Sequence, residues 1–401
     1  MDADDVLADL SALECCNAAR KIWLSAKDES DLKKVEELYL RAMKTSSKKS
    51  EQDDNGNDDV EPPKKKQNRT KPLSKKDYAK AGEKIALIFC QSGRAKKVKR
   101  GLSSLGFVCR LSTSVFDYPM EMEQTRAADS NDISDAPCMI VDNFLTGECL
   151  HYLKRIFEDP GATYWTNHEY QTEPPSPYFS YVLAMKSLHK CGFLGDLLSR
   201  ISSNALLQSK FPALKEVQFV EMWAHNRPHA SGHQMHFDSD DEGRGGVRNP
   251  IISTILYITA GSGGPSLITT QVLGDDHLAQ KGWLCYPKEG RFVAFDGKVL
   301  HGVVPGKGVS AGRRVTLMFA FWKDIRIREE EGPGPARPFP IDKTWSKQLR
   351  RTVKFRNDAN QDAVRVDTLP IAVDRIYETL EGKPWKRKMG MPSYDQVFQG
   401  F

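Results

Sequence analysis

Val315-Thr-Leu-Met-Phe-Ala-Phe-Trp322, preceded by Arg314, is a run of β-branched, aromatic and apolar residues without glycine or proline, the composition that fits a buried pleated surface. Ile251-Ile-Ser-Thr-Ile-Leu-Tyr-Ile-Thr259 has the same character and ends at the turn Ala260-Gly-Ser-Gly-Gly-Pro265, so it predicts a strand entering a tight loop. Gly290-Arg-Phe-Val-Ala-Phe-Asp296 is a third, and a Gly297-Lys298 turn leads from it to Leu300-His301. With these strands at its centre, the chain reads as mainly β with helical additions.

Side chains alternate across a strand, which puts Arg314 and Thr316 on one face. A buried arginine holds a carboxylate through two parallel charge-assisted hydrogen bonds, and a hydroxyl two residues on can add another. His236-Phe-Asp238 obeys the same period, so His236 and Asp238 can grip one ion from one side. His301 follows Asp238 by 63 residues and brings a third ligand from a distant strand. Two histidines and one carboxylate leave coordination positions open, as non-haem Fe(II) oxygenases require.

These stretches resemble the Fe(II)/2-oxoglutarate-dependent dioxygenase superfamily, and within it the prolyl 4-hydroxylase-like branch. Carrying the resemblance are Cys138-Met-Ile-Val-Asp-Asn-Phe-Leu-Thr-Gly-Glu-Cys149 as opening strand and helix cap, His236-Phe-Asp238, Ser253 to Thr259 and Gly263-Gly-Pro-Ser266. Gly290 to Phe295, His301-Gly-Val-Val-Pro-Gly306 and Gly312-Arg-Arg-Val-Thr316 complete it. It spans residues 136 to 325. It implies a double-stranded β-helix core, a cupin-like jelly roll with the metal in its mouth. It also implies iron on His236, Asp238 and His301, with the far carboxylate of 2-oxoglutarate on Arg314, supported by Thr316 and the Tyr257 hydroxyl. O2 is then the oxidant and ascorbate the reductant.

Much of that branch uses lysine at the far carboxylate, where this chain has adjacent arginines; the Arg-x-Thr spacing selects Arg314 over Arg313. The loop Asp238-Ser-Asp-Asp-Glu-Gly-Arg-Gly-Gly-Val-Arg-Asn249 is long and charged, and reads either as a lid that meets substrate or as a solvated surface loop. His225, His229, His233 and His236 offer a competing zinc cluster, but Pro228 and Gly232 oppose the helix that would align them, and only His236 has an aspartate two residues on. His225, His229 and His233 are read as lining or loop residues near the entrance. Trp223 reads as bordering the co-substrate pocket or as core.

The 401 residues carry a formal charge of +5, a total that hides local blocks. Residues 1–50 have apolar positions at helical spacing, with an N-cap-like break at Asp28 to Ser30, and predict a helical hairpin. Residues 51–80 read as a charged, disordered linker: 51–61 hold six acidic residues and 62–76 seven basic ones, too polar to fold alone. Pro62-Pro-Lys-Lys-Lys-Gln-Asn-Arg-Thr-Lys71 fits a nuclear-import signal or a nucleic-acid patch. Residues 81–135 form an accessory helical or mixed segment, in which the basic cluster 94–100 reads as the solvated face of a helix.

Eight cysteines occur without a C-x-x-C pair. No stretch resembles a signal peptide or a membrane span, so the expectation is reduced thiols and an intracellular, nuclear protein. Residues 326–401 form a C-terminal extension: 341–355 are basic with helical character, and Leu369 to Leu380 read as a short amphipathic helix. Three functions follow. The chain hydroxylates a protein side chain, oxidises a nucleic acid engaged through 62–76 and 94–100, or is a scaffold that has lost turnover; the five site residues together argue against the last.

Overall fold

The structure is a computed structural model that describes residues 10–50, 71–118, 136–170, 178–229, 232–240, 246–310, 312–329, 334–353, 368–380 and 391–400. Its helices are α1 (Ala12–Leu24), α2 (Glu29–Ser50), α3 (Lys75–Gln91), α4 (Ala95–Leu102), α5 (Thr113–Phe116), α6 (Gly147–Phe157), α7 (Thr163–Thr166), α8 (Gly192–Ser202), α9 (Ala205–Lys210) and α10 (Thr344–Leu349). The first strands are β1 (Cys109–Leu111), β2 (Cys138–Val141), β3 (Tyr181–Ala184), β4 (Phe219–Arg227), β5 (His233–His236), β6 (Ile252–Tyr257), β7 (Ser266–Val272) and β8 (Lys281–Cys285). They are followed by β9 (Phe292–Asp296), β10 (Val299–Val303), β11 (Arg314–Trp322), β12 (Arg337–Pro338), β13 (Ile371–Asp374), β14 (Tyr377–Thr379) and β15 (Val397–Phe398).

Among the described residues these strands form a seven-stranded sheet in the order β12-β3-β4-β11-β6-β9-β2, a five-stranded sheet β13-β8-β7-β10-β5, and a three-stranded sheet β14-β1-β15. β11 lies at the centre of the largest, antiparallel to β4 and β6, and all of it is buried. Its alternation sorts the layers. Val315, Leu317, Phe319 and Phe321 face one way and pack with Leu153, Phe157, Leu194, Leu198 and Trp345 from the helices. Arg314, Thr316 and Met318 face the other way, into a cavity.

The two larger sheets meet face to face. Tyr257, Val293 and Phe295 from one, and Ile268, Trp283, Cys285 and Val299 from the other, share a single apolar cluster. The back of the five-stranded sheet is covered as well: Met235, Leu267, Leu284 and Leu300 pack with Cys90, Val98, Leu102, Phe116, Ile376 and Phe398. Fully burying such side chains stabilises by ~1.5–3 kcal/mol each. The core is thus built of packed sheets, with helices laid on the outside.

The helices α1 and α2 form the expected hairpin. Ser11 and Glu14 make a reciprocal capping box at the start of α1, and Asp28 accepts the amides of Ser30 and Asp31 where α2 begins. Ala19, Trp23, Val35 and Ala42 of the hairpin pack on Ala81, Ile85 and Ile88 of α3. The segment read as linker therefore ends earlier than residue 80, because α3 starts at Lys75 behind the N-cap Ser74.

Leu369 to Leu380 is not a helix. Pro370 removes an amide, Ile371 and Val373 are β-branched, and the segment forms β13 on the edge strand β8, with Ile371 opposite Leu284. Arg375 takes a positive φ of 57° and turns the chain into β14, which pairs with β1. A free sheet edge overrode the apparent helical period. Of 341–355, residues 354 and 355 lie outside the described residues; in 341–353 the helical part is the six-residue α10, anchored by buried Trp345 and Leu349.

Candidate metal centre and anion cavity

His236 closes β5 and stands opposite His301 of β10 in the antiparallel register; Asp238 follows two residues on. Asp238 Oδ1 lies 3.7 Å from His236 Nε2, and Oδ2 lies 3.7 Å from His301 Nε2. The three ligand atoms all fall within 4.8 Å of one another, and among the described residues they are the one such group. An ion with bonds of ~2.0–2.2 Å holds adjacent donors about 3–4 Å apart, so the separations fit a single metal.

The tautomers suit that role. His236 Nδ1 lies 2.8 Å from the Gln234 carbonyl, and His301 Nδ1 lies 3.0 Å from that of Val299. A nitrogen facing a carbonyl must carry the proton, which leaves each Nε2 lone pair for a ligand. Burial and then the neighbouring His301 together hold the pKa of His236 down at about 4, against the opposing pull of Asp238; the ring is neutral at pH 7. Ser253 Oγ donates to Asp238 Oδ2 at 2.5 Å, and the Asn249 amide donates to the Asp238 main-chain carbonyl at 2.7 Å. The first orients the carboxylate and the second anchors the backbone that carries it.

The same residues open onto a cavity of about 360 Å³, lined also by Tyr257, Arg314 and Thr316. Arg314 is 5% exposed. Its Nη1 donates to the Gly264 carbonyl at 3.0 Å, while its buried Nε has no hydrogen-bond partner. Gly263, at φ 87°, lets the turn close over the arginine: a Cβ there would lie 3.2 Å from Arg314 Cδ. Thr316 sits between His225 and Tyr257 in the strand register, and the Tyr257 hydroxyl lies 2.9 Å from Ser266 Oγ. Among the described residues no carboxylate pairs with Arg314. A buried cation with an orphaned donor, facing a cavity, fits an anion supplied from outside.

Arg313 points elsewhere: its guanidinium donates to the Asn226 side chain and main-chain carbonyl. The histidine cluster does not form. His225 and His233 line the cavity, and burial holds both well below the usual histidine range. His229 turns away, with Nδ1 3.2 Å from Gln91 Nε2 and Nε2 3.2 Å from the Trp23 carbonyl. Gln91 in turn accepts the Trp23 indole N–H, so this histidine ties α1 and α3 to the loop after β4. Trp223 fills both of its expected places, lining the cavity and packing in a core cluster. Residues 241–245 of the charged loop lie outside the described residues; its flanks are joined by the Asp240 amide to the Arg248 carbonyl.

Two residues of the site escaped the sequence reading. Arg227 lines the cavity opposite Arg314 across the β4–β11 ladder. Glu221, 6% exposed, accepts the Ser180 hydroxyl and lines a smaller cleft of about 130 Å³. That cleft shares Tyr178, Trp223, Asp238 and Ser239 with the cavity. Burial pushes the Glu221 carboxyl up to about 7, and the charge of Asp238 adds to the effect. The signal for both was the alternation Glu221-x-Trp223-x-His225-x-Arg227, hidden by attention to the histidines.

No protein-family profile matches the chain, and no curated protein is similar to it. Among solved structures it is similar to a Pseudomonas putida prolyl-4-hydroxylase, at 15% identity over 51% of this chain and 100% of that one, with a TM-score of 0.28. A 2OG-Fe(II) oxygenase-family oxidoreductase from Burkholderia pseudomallei matches at 12% identity over 53% and 96%, TM-score 0.28. A Phytophthora capsici prolyl 4-hydroxylase matches at 16% over 53% and 74%, TM-score 0.29. Overlaps this low do not define a shared fold, and the geometry of the site stands on its own. Among the described residues no helix is long and apolar enough to cross a membrane.

Proposed function

We propose that this chain is an Fe(II)- and 2-oxoglutarate-dependent dioxygenase built on a double-stranded β-helix, and that it hydroxylates a protein side chain. One observation carries the reading: a His-Asp-His group and a buried arginine that no carboxylate of the described residues neutralises share one cavity. His236, Asp238 and His301 would hold the metal. When bound, Fe(II) supplies oxidation of a substrate C–H bond by O2, coupled to conversion of 2-oxoglutarate to succinate and CO2.

The chain's own residues do the rest. Arg314 holds the far carboxylate, with the Thr316 and Tyr257 hydroxyls beside it. Ser253 keeps Asp238 oriented, and the neutral His225 and His233 add no charge that would compete for the anion. Tyr178 and Trp223 stand where the cleft joins the cavity and border the approach of substrate. Ascorbate as reductant and a nuclear address are proposed from the sequence alone; residues 62–70 of the basic run lie outside the described residues.

Anaerobic titration of the purified chain with Fe(II) and 2-oxoglutarate tests the reading. The expected result is a visible charge-transfer band that needs both components and is absent in Asp238→Ala. No band from folded, metal-loaded protein would sink it. Trapping with Asp238→Ala then separates substrates: retained protein supports the proposal, whereas retained RNA or DNA whose binding falls steeply with salt replaces it with a nucleic-acid substrate.

A further inference from the structure

We propose that Arg227 and Arg314 together form a two-guanidinium subsite, so that Arg227 is a second binding residue for the far carboxylate of the co-substrate. This rests on the functional reading above, but its own footing is the pairing of strands. Arg227 ends β4 and Arg314 begins β11, and the two are direct cross-strand partners. They are 7% and 5% exposed, and both line the cavity.

Like charges placed directly opposite each other on a sheet repel, and an uncompensated buried charge is strongly destabilising. Neither arginine has a carboxylate partner among the described residues. The Arg227 guanidinium lies over the face of Tyr170, 5.8 Å from the ring centroid, a cation–π attraction that supplies no counter-charge. The charge of Arg227 also presses on Arg314, whose pKa burial has already lowered. An anion between the two relieves both penalties at once. Asp238 is the one carboxylate lining the cavity among the described residues, and it sits against His236 and His301; Arg313, on which the charge of Arg227 also acts, adds a third positive charge nearby.

Two consequences separate this from a single-arginine site. The far carboxylate can use one oxygen for each guanidinium, and a compact oxyanion with oxygens for both can take its place. Inorganic phosphate is then a competitor of 2-oxoglutarate.

Calorimetric titration of the full chain loaded with Mn(II), with 2-oxoglutarate and with inorganic phosphate, tests the subsite. Arg227→Met keeps an unbranched stem over Tyr170. It is expected to weaken 2-oxoglutarate by at least about tenfold and to abolish competition by phosphate, while Arg227→Lys retains part of both. Thermal unfolding checks that each variant is folded, and the lysine variant keeps the test open if the methionine variant is not. Arg227→Met binding 2-oxoglutarate and phosphate as wild type does, while Arg314→Met loses 2-oxoglutarate, overturns the inference and leaves the functional reading standing. Wild-type protein that binds phosphate through Arg227 but no 2-oxoglutarate overturns the functional reading and leaves an anion subsite.

Discussion

The two faces of β11 differ in kind although they share one backbone. Toward the helices, Val315, Leu317, Phe319 and Phe321 are fully buried among apolar side chains. Toward the cavity, Arg314 and Thr316 are nearly as buried and yet polar, and the arginine keeps an unpartnered donor. One face is satisfied by the protein itself, the other is complete only with something from outside. Well-packed cores tolerate such a site because the apolar face holds the strand in register whatever the polar face holds. Stability and ligand binding should therefore separate cleanly by face.

Phe319→Ala gives the largest separation. It is expected to cost about 3–5 kcal/mol of unfolding free energy in denaturant melts, with 2-oxoglutarate affinity of the folded fraction unchanged; a matching loss of affinity would break the division. Glu221→Gln acts through pH. Because burial raises the Glu221 pKa to about 7, the fold favours the neutral acid, whereas in the unfolded chain the carboxyl ionises near its ordinary 4.5. The contribution of Glu221 is present below that value and is lost as pH rises through about 7, by at most about 3 kcal/mol. Melts across that window should flatten in Glu221→Gln.

Arg314→Met should weaken 2-oxoglutarate by about 2 kcal/mol, roughly thirtyfold, without lowering the melting temperature, because it removes an unpaired buried charge. Arg313→Met should leave affinity alone; the reverse pattern would show that the strand register had been assigned one residue out. Ser253→Ala is the mildest. Losing one hydrogen bond to a metal-binding carboxylate typically weakens metal affinity by about tenfold, measurable by competition with a chelator.

Much of this was legible before any coordinates. β6, β9 and β11 are dense in β-branched and aromatic residues, and a period of two can place His236 beside Asp238 and Arg314 beside Thr316 from sequence alone. Arg227 and Glu221 were not found because their meaning is relational: a charge on a strand is ordinary until its cross-strand neighbour is known. β13 was misread for a related reason. Ile371 and Val373 fit a strand as well as a helix, and only the open edge of β8 decides between them. The sequence also gave no sign that β1 would pair with both β14 and β15, since pairing across such separations leaves no local trace.

β5 forms one edge of its sheet, and its outer side is held by a distant stretch. The Met235 amide donates to Gln399 Oε1 at 2.7 Å, and Tyr394 Oη donates to the Met235 carbonyl at 3.3 Å. Met235 immediately precedes the candidate ligand His236, and Gln399 lies 164 positions further along the chain. At translation rates of ~5–20 residues per second, the clamp on the metal-binding strand arrives roughly ten to thirty seconds after the strand itself leaves the peptidyl-transferase centre. During that interval the ligands exist without their brace. The strand that carries His236 is in this sense fastened only when the chain is nearly complete.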